Sequence, residues 1–295
     1  EGPTNIGGRI NTILVHPINS NIIYTGSATG GIFKTINGGT TWEPIFDDQP
    51  FLAIGCLAFD PTDPDIIFAG TGDPNISGYP FIGDGIWKSE DAGITWTHRG
   101  LSDQKIISKI VIDPTNSNII YAATMGLPFE RNNDRGLYQS TDGGNSWNQI
   151  LFISDDAGII DLVMSPTNPN VLYAAGWNRI RNNEESLVTG QAAKIYKTTD
   201  GGATWTQQGA GVIYNNLSQS FPNVVHFWDA NNGFAMGDPE GGFYELYTTT
   251  DGGSNWTRVP TGNIPAPTAG EFGIVGHYEV QGDTVWFDTN KGRVY

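Results

Sequence analysis

The stretch Ser140-Thr-Asp-Gly-Gly-Asn-Ser-Trp147 decides the reading of this 295-residue chain, because it recurs. The other copies are Thr35-Ile-Asn-Gly-Gly-Thr-Thr-Trp42, Ser89-Glu-Asp-Ala-Gly-Ile-Thr-Trp96, Thr198-Thr-Asp-Gly-Gly-Ala-Thr-Trp205 and Thr249-Thr-Asp-Gly-Gly-Ser-Asn-Trp256. Successive Trp residues lie 51 to 58 positions apart. A second motif precedes the first four octets: His16-Pro with Asn21-Ile-Ile-Tyr24, Asp60-Pro with Asp65-Ile-Ile-Phe68, Asp113-Pro with Asn118-Ile-Ile-Tyr121, and Ser165-Pro with Asn170-Val-Leu-Tyr173. Two motifs in fixed order at one period mark a repeat array.

Each octet reads as a hairpin turn. The third residue (Asn37, Asp91, Asp142, Asp200 or Asp251) can accept hydrogen bonds from turn N–H groups. The glycine pair permits positive φ. The Ser/Thr hydroxyl can satisfy a further turn group. The closing indole of Trp42, Trp96, Trp147, Trp205 or Trp256 packs beside the hairpin. These ten residues are therefore assigned a structural role. In the first repeat the apolar runs predict strands over 13–15, 22–25, 31–34 and 42–45, with a turn at 17–21.

A four-stranded unit of about 50 residues is the blade of a β-propeller. The expected fold class is all-β, with four-stranded antiparallel blades. Five blades carry an octet and part of a sixth follows, at about 9–46, 52–100, 106–152, 158–210, 221–260 and 273–295. Five blades and a partial sixth leave sheet edges exposed. The expectation is therefore a fragment of a larger ring, completed by further blades or domains of the same polypeptide or by a partner.

Composition agrees. Glycine supplies 39 residues and tryptophan nine, while charged residues are only 16% of the chain against a usual share of about 25%. Aromatic richness argues against disorder. No apolar run approaches the ~18 residues of a membrane-spanning helix, so no membrane insertion is expected. A net charge of −16 opposes nucleic-acid binding, which needs a basic surface. The single cysteine, Cys56, excludes an internal disulfide and a zinc site built on several cysteines.

The octets resemble the Asp-box, or BNR, repeat of sialidase-type and sortilin-type (VPS10) propellers, written Ser/Thr-x-Asp-x-Gly-x-Thr-Trp. The first copy departs with Asn37 for Asp, the second with Ala92 for Gly. The fifth repeat opens differently, as Val224-Val-His-Phe-Trp-Asp-Ala-Asn-Asn-Gly-Phe-Ala-Met-Gly-Asp238, and its Asp-Ala-Asn-Asn-Gly turn is similar to Ycf48-like propellers. With Glu1-Gly-Pro-Thr-Asn-Ile-Gly-Gly-Arg9 it resembles the large exported propellers of type IX-secreting bacteria. That resemblance implies an extracellular or cell-surface place on a bacterium.

Function is sought on the loops between the second and third strands, which a rigid scaffold would present together. Arg131, Arg135, Arg179 and Arg181 fall on two adjacent loops, and guanidinium forks suit carboxylates, sulfates or phosphates. Trp177, Phe129 and Tyr79 lie on the same loop set and could stack on sugar rings. Pairing of these arginines with Glu130, Asp134, Glu184 and Glu185 is the competing, purely structural reading. The expectation drawn is a non-catalytic binding or adhesion module for a glycan or protein ligand.

Glycoside hydrolysis is the alternative class, and a protein-assembly factor the third. The early Phe/Tyr-Arg-Ile-Pro motif of sialidases is absent, with Gly8-Arg9-Ile-Asn11 in its place. Propellers similar to the xyloglucanases of glycoside hydrolase family 74 carry an Asp just before a Gly-Gly in the first blade. Here that segment is Ala28-Thr-Gly-Gly31. Asp84 with Glu130 or Asp134, and Asp238 with Glu240, remain as carboxylate pairs, since a glycosidase needs two. The four histidines show no metal-ligand spacing. No cofactor is expected; calcium is left open at Asp47-Asp48 and Asp155-Asp156, where solvated turns are the competing reading.

Overall fold

The computed structural model describes residues 8–76 and 80–295; the opening stretch 1–7 and Tyr79 lie outside them. Every extended sheet is antiparallel and follows chain order. The first is β1 (Ile10–Val15), β2 (Ile23–Ser27), β3 (Ile32–Thr35) and β4 (Glu43–Pro44). The second is β5 (Ile54–Phe59), β6 (Ile67–Thr71), β7 (Ile86–Ser89) and β8 (Thr97–His98). The third is β9 (Ile107–Ile112), β10 (Ile120–Thr124), β11 (Gly136–Ser140) and β12 (Asn148–Leu151).

In the fourth, β13 (Ala157–Ser165) and β14 (Asn168–Asn178) are followed by a small hairpin of β15 (Ile180–Arg181) and β16 (Ser186–Leu187). The sheet then resumes with β17 (Ile195–Thr198) and β18 (Thr206–Gln207). The fifth is β19 (Pro222–Phe227), β20 (Gly233–Glu240), β21 (Phe243–Thr249) and β22 (Thr257–Arg258). A two-stranded sheet of β23 (Gly273–Gln281) and β24 (Thr284–Thr289) closes the order. Among the described residues the helical content is one 3-10 turn, Thr261–Asn263, and no helix is long and apolar enough to cross a membrane.

The described chain divides into two compact units. One lies within Glu1–Leu127 together with Tyr138–Gln149; the other is Pro128–Leu137 with Ile150–Tyr295. Inner strands carry the core in each. β6 and β10 are buried at every position, as strands covered on both faces must be. Their Ile, Phe, Tyr and Thr residues suit a pleated, covered surface. Fully burying one such side chain contributes about 1.5–3 kcal/mol.

The octets fold as the spacing predicts. In the third copy, Ser140 Oγ donates to Asp142 Oδ1 at 2.8 Å and accepts from Gly144 N at 2.8 Å. Asp142 also accepts from Ser146 N at 2.9 Å and Ser146 Oγ at 2.6 Å. These donors, the Ser146 hydroxyl first, hold the Asp142 carboxyl down at about 2. In the first copy the amide reverses one bond: Asn37 Nδ2 donates to Thr41 Oγ1 at 2.9 Å, while Asn37 Oδ1 accepts from Thr41 N. In the second, Ala92 sits at φ 58°, a left-handed conformation that glycine fills in the other four copies.

The two repeated motifs lock neighbouring repeats together within each unit. Tyr24 Oη donates to Ala92 O at 3.1 Å, joined by Lys34 Nζ at 2.8 Å. Tyr173 Oη and Lys197 Nζ do the same to Gly252 O, at 2.9 and 2.6 Å. In the reverse direction Trp96 Nε1 donates to Ile45 O, and Trp147 Nε1 to Arg99 O. The aromatic of one motif thus reads the turn of the next octet, which explains why both recur in fixed order.

Candidate functional site

The fifth sheet departs from the others at the end of its second strand. β20 and β21 pair from Gly233 opposite Thr249 to Gly237 opposite Glu245, and then from Pro239 opposite Tyr244 to Glu240 opposite Phe243. Asp238 is the extra residue of a β-bulge, the device that re-aims a side chain where a ladder is interrupted. Gly241 (φ 63°) and Gly242 (φ 86°) close the hairpin as a two-residue turn with both φ positive. The segment 238–245 reads from sequence as the fifth blade's loop between second and third strands; it is a continuous hairpin, because the glycine pair supplies the turn that extends both strands.

The Asp238 side chain is partly buried. Its Oδ1 accepts from Asn223 Nδ2 of β19 at 2.7 Å, and the backbone N–H of Gly273 also serves the carboxyl. Burial is the main cause that pushes Asp238 up to about 6, and the negative charge of Glu245 adds to it. An aromatic group stands across the bulge. Tyr244 packs edge-on to Phe287 at 5.2 Å and to Tyr295 at 5.1 Å, while Phe287 and Tyr295 stack. A carboxyl that keeps its proton near neutral pH is chemically a general acid. Glu240 is engaged elsewhere, receiving Asn216 Nδ2 at 3.2 Å and an ion pair from Arg258 at 3.5 Å.

The loop arginines are placed differently from one another. Arg135 is fully buried, its guanidinium donating to Arg179 O and Glu130 O, both at 3.0 Å. Arg179 is buried, donates to Leu187 O at 3.0 Å and lies over the Trp177 ring. Burial lowers both guanidinium groups to about 10. Trp177 is itself 5% exposed, bonded to Val188 O at 2.7 Å and stacked on Phe221. These three side chains face protein, since backbone carbonyls and a covering ring take the positions a ligand would need.

Arg131 is exposed and forms a bidentate pair with Glu185 at 2.8 and 2.9 Å. Arg181 donates to Ser186 Oγ at 2.8 Å. Phe129 is 38% exposed. Tyr79 lies outside the described residues. The two acidic dipeptides assemble no metal cluster: among the described residues no group of three or more His, Cys, Asp or Glu is arranged to hold an ion.

Comparison with known proteins now bears on this geometry. The family model described as "Sortilin, neurotensin receptor 3" matches residues 84–219. A xyloglucanase of Paenibacillus sp. is 24% identical over 283 residues, covering 86% of this chain and 26% of its own length. The GH74 xyloglucanase structure from Xanthomonas campestris superposes with a TM-score of 0.70 at 16% identity, over 97% of this chain and 44% of that one. YCF48 from Cyanidioschyzon merolae gives 0.50 at 14% identity, over 99% and 96%.

The chain is an Asp-box β-propeller. It spans about a quarter of the curated xyloglucanase named above. The expectation of a non-catalytic adhesion module is overturned by these comparisons, because the relatives and structural neighbours are xyloglucanases and GH74 enzymes. The glycoside hydrolase alternative fits them better.

The signal for Asp238 was present in the propeller's sequence. Asp-before-Gly-Gly is absent from the first blade, where Ala28 stands four residues after Tyr24. In register, Ile23 opposes Thr35 and Gly233 opposes Thr249, the first residues of their octets. Tyr24 and Phe234 are therefore equivalent, and Asp238 stands four residues after Phe234, just ahead of Gly241-Gly242. The spacing to the glycine pair differs by one residue, since Ala28 stands two positions before Gly30-Gly31 and Asp238 three before Gly241-Gly242.

Proposed function

We propose that the propeller belongs to a glycoside hydrolase that cleaves a β-glucan backbone of the xyloglucan type, with Asp238 as its general acid. The observation that carries this reading is a partly buried carboxyl on a β-bulge whose proton is held to about pH 6, in a chain whose relatives are xyloglucanases. Such an acid would protonate the glycosidic oxygen as the bond to the anomeric carbon breaks. A water activated by a second carboxylate would attack from the opposite face in an inverting enzyme, or that carboxylate would attack directly in a retaining one. Ala28 offers no carboxylate at the first-blade position, so the base in this proposal is a carboxylate elsewhere. Tyr244 and Phe287, with Tyr295 packed on them, form buried core beside the bulge and stiffen the strand that faces Asp238. A polymeric glycan substrate implies action outside the cell.

The test is release of reducing ends from xyloglucan by the intact polypeptide, with and without Asp238→Asn. Loss of about 100-fold or more in rate with unchanged folding is expected, the range for removing a general acid. Equal rates in the two proteins, or no release by either, would remove the reading.

A further inference from the structure

The closing indole of an octet normally has an acceptor. In the second and third copies it reaches back to the preceding sheet: Trp96 Nε1 donates to Ile45 O at 2.9 Å and Trp147 Nε1 to Arg99 O at 2.7 Å. In the fourth, Trp205 Nε1 finds Gly202 O in its own turn at 3.1 Å. Ile45 and Arg99 hold one place in the repeat, because the N–H of each bonds to the carbonyl of the residue that opens the third strand, Ile32 or Ile86. Gln208 holds that place in the fourth sheet, its N–H bonded to Ile195 O at 2.8 Å. Gln208 O is therefore the acceptor that the repeat offers to Trp256. The indole does not use it. Trp256 is 5% exposed, yet its Nε1 has no hydrogen-bond partner among the described residues.

The chain differs locally at this point. β18 and β19 are joined by residues 208–221, a longer path than the 99–106 that join β8 and β9. The path turns at once: Gly209, at φ 56°, gives its carbonyl to Val212 N at 2.9 Å and to Ile213 N at 3.1 Å. This turn lies on the indole edge, where a Cβ on Gly209 would stand 3.1 Å from Trp256 Cδ1, the atom next to Nε1. Between the turn and the fifth octet is a cleft of about 470 Å³, a size usual for small-ligand sites. Thr206, Gln207, Gln208, Val212, Asn255 and Trp256 line it, and none of its lining residues carries a charge. Exposed amides and hydroxyls beside an aromatic ring match the hydroxyls and apolar faces of an uncharged sugar. An acidic glycan would meet no cation on these walls, in a chain of net charge −16.

We propose that this cleft is a second glycan-binding site, which holds a neutral glucan chain and lets a sugar hydroxyl accept from Trp256 Nε1. Gly209 and Gly211 give the covering turn the freedom to admit that hydroxyl. The site is apart from the acid. Gly233 opposes Thr249, the first residue of the octet, while Asp238 lies beyond Gly237 at the other end of the ladder. The choice of a glucan rests on the reading of the chain as part of a glycoside hydrolase; the cleft itself does not involve Asp238.

The experiment labels the intact polypeptide with fluorotryptophan and follows the Trp256 fluorine resonance, assigned with Trp256→Phe, during titration with cellohexaose. The titration is repeated in Asp238→Asn and in Gln207→Ala. A saturable shift is expected in the wild type and in Asp238→Asn. Gln207→Ala should weaken it about fivefold, the loss of one hydrogen bond, and leave the rate on soluble xyloglucan oligosaccharides unchanged. An unmoved resonance would overturn the site. So would a shift that stays as tight in Gln207→Ala, or one that an oligogalacturonate produces equally. The hydrolase reading fails separately: full hydrolysis by Asp238→Asn sinks that reading and leaves the Trp256 shift to stand or fall by itself.

Discussion

Two aspartates of this chain share a local sequence and differ in chemistry. Gly72-Asp73-Pro74 directly follows the second strand of its blade, whereas Gly237-Asp238-Pro239 lies within the second strand of another. Asp73 is fully buried and paired with the Arg9 guanidinium, with Asn11 Nδ2 at 3.2 Å and its own loop's Asn75 N at 3.2 Å. Asp238 has the Asn223 amide where Asp73 has a cation, and a glutamate charge nearby. A buried carboxyl given an arginine is held in an ion pair; one buried beside a like charge, with an amide for partner, is pushed up to about 6. The difference lies in the contacting residue: Arg9, just ahead of β1 of the preceding sheet, against Asn223 on β19 of the same sheet.

The sharpest way to break this comparison is to take the cation from the first site. Arg9→Met leaves Asp73 buried without its counter-charge and is expected to cost about 3 kcal/mol. The midpoint of urea unfolding reads it, and an unchanged midpoint would make the ion pair incidental.

Asp238→Asn should have the opposite sign. The folded-state value of about 6 lies above the unfolded one, so the ionised form is penalised in the fold. That penalty is absent below about pH 4 and complete once pH has risen through about 6. Asp238→Asn is therefore expected to stabilise by about 2 kcal/mol at pH 7, a figure reduced for its partial exposure, and by nothing at low pH. Thermal unfolding at the two pH values checks this.

The smallest effect calibrates the scaffold that both aspartates stand on. Ala92→Gly relieves the left-handed alanine of the second octet and should stabilise by about 0.5 kcal/mol, a net of relieved strain and added chain entropy. Destabilisation there would show that Ala92 contributes contacts that outweigh its backbone cost.

Much of the scaffold was legible because it is local. An octet carries its own hydrogen bonds within eight residues, and Ser140, Asp142 and Ser146 need no distant partner. The site was less legible because it depends on register. Residues 238–245 contain the turn glycines, yet only the pairing of Gly237 with Glu245 and Pro239 with Tyr244 reveals that Asp238 is the bulged residue. The loop arginines show the same limit. Arg135 and Arg179 look like a cationic face in sequence, but their partners are backbone carbonyls at 130, 179 and 187, which no residue-type pattern discloses.

The most direct measurement is the pH titration of the Asp238 carboxyl in the folded wild-type chain, read at its side-chain carbon. A midpoint near 6 is predicted, above the ordinary aspartate range and suited to proton donation. A midpoint at or below the ordinary value of about 4 would contradict the account, because Asp238 would then be an anion throughout the working range with no proton to give.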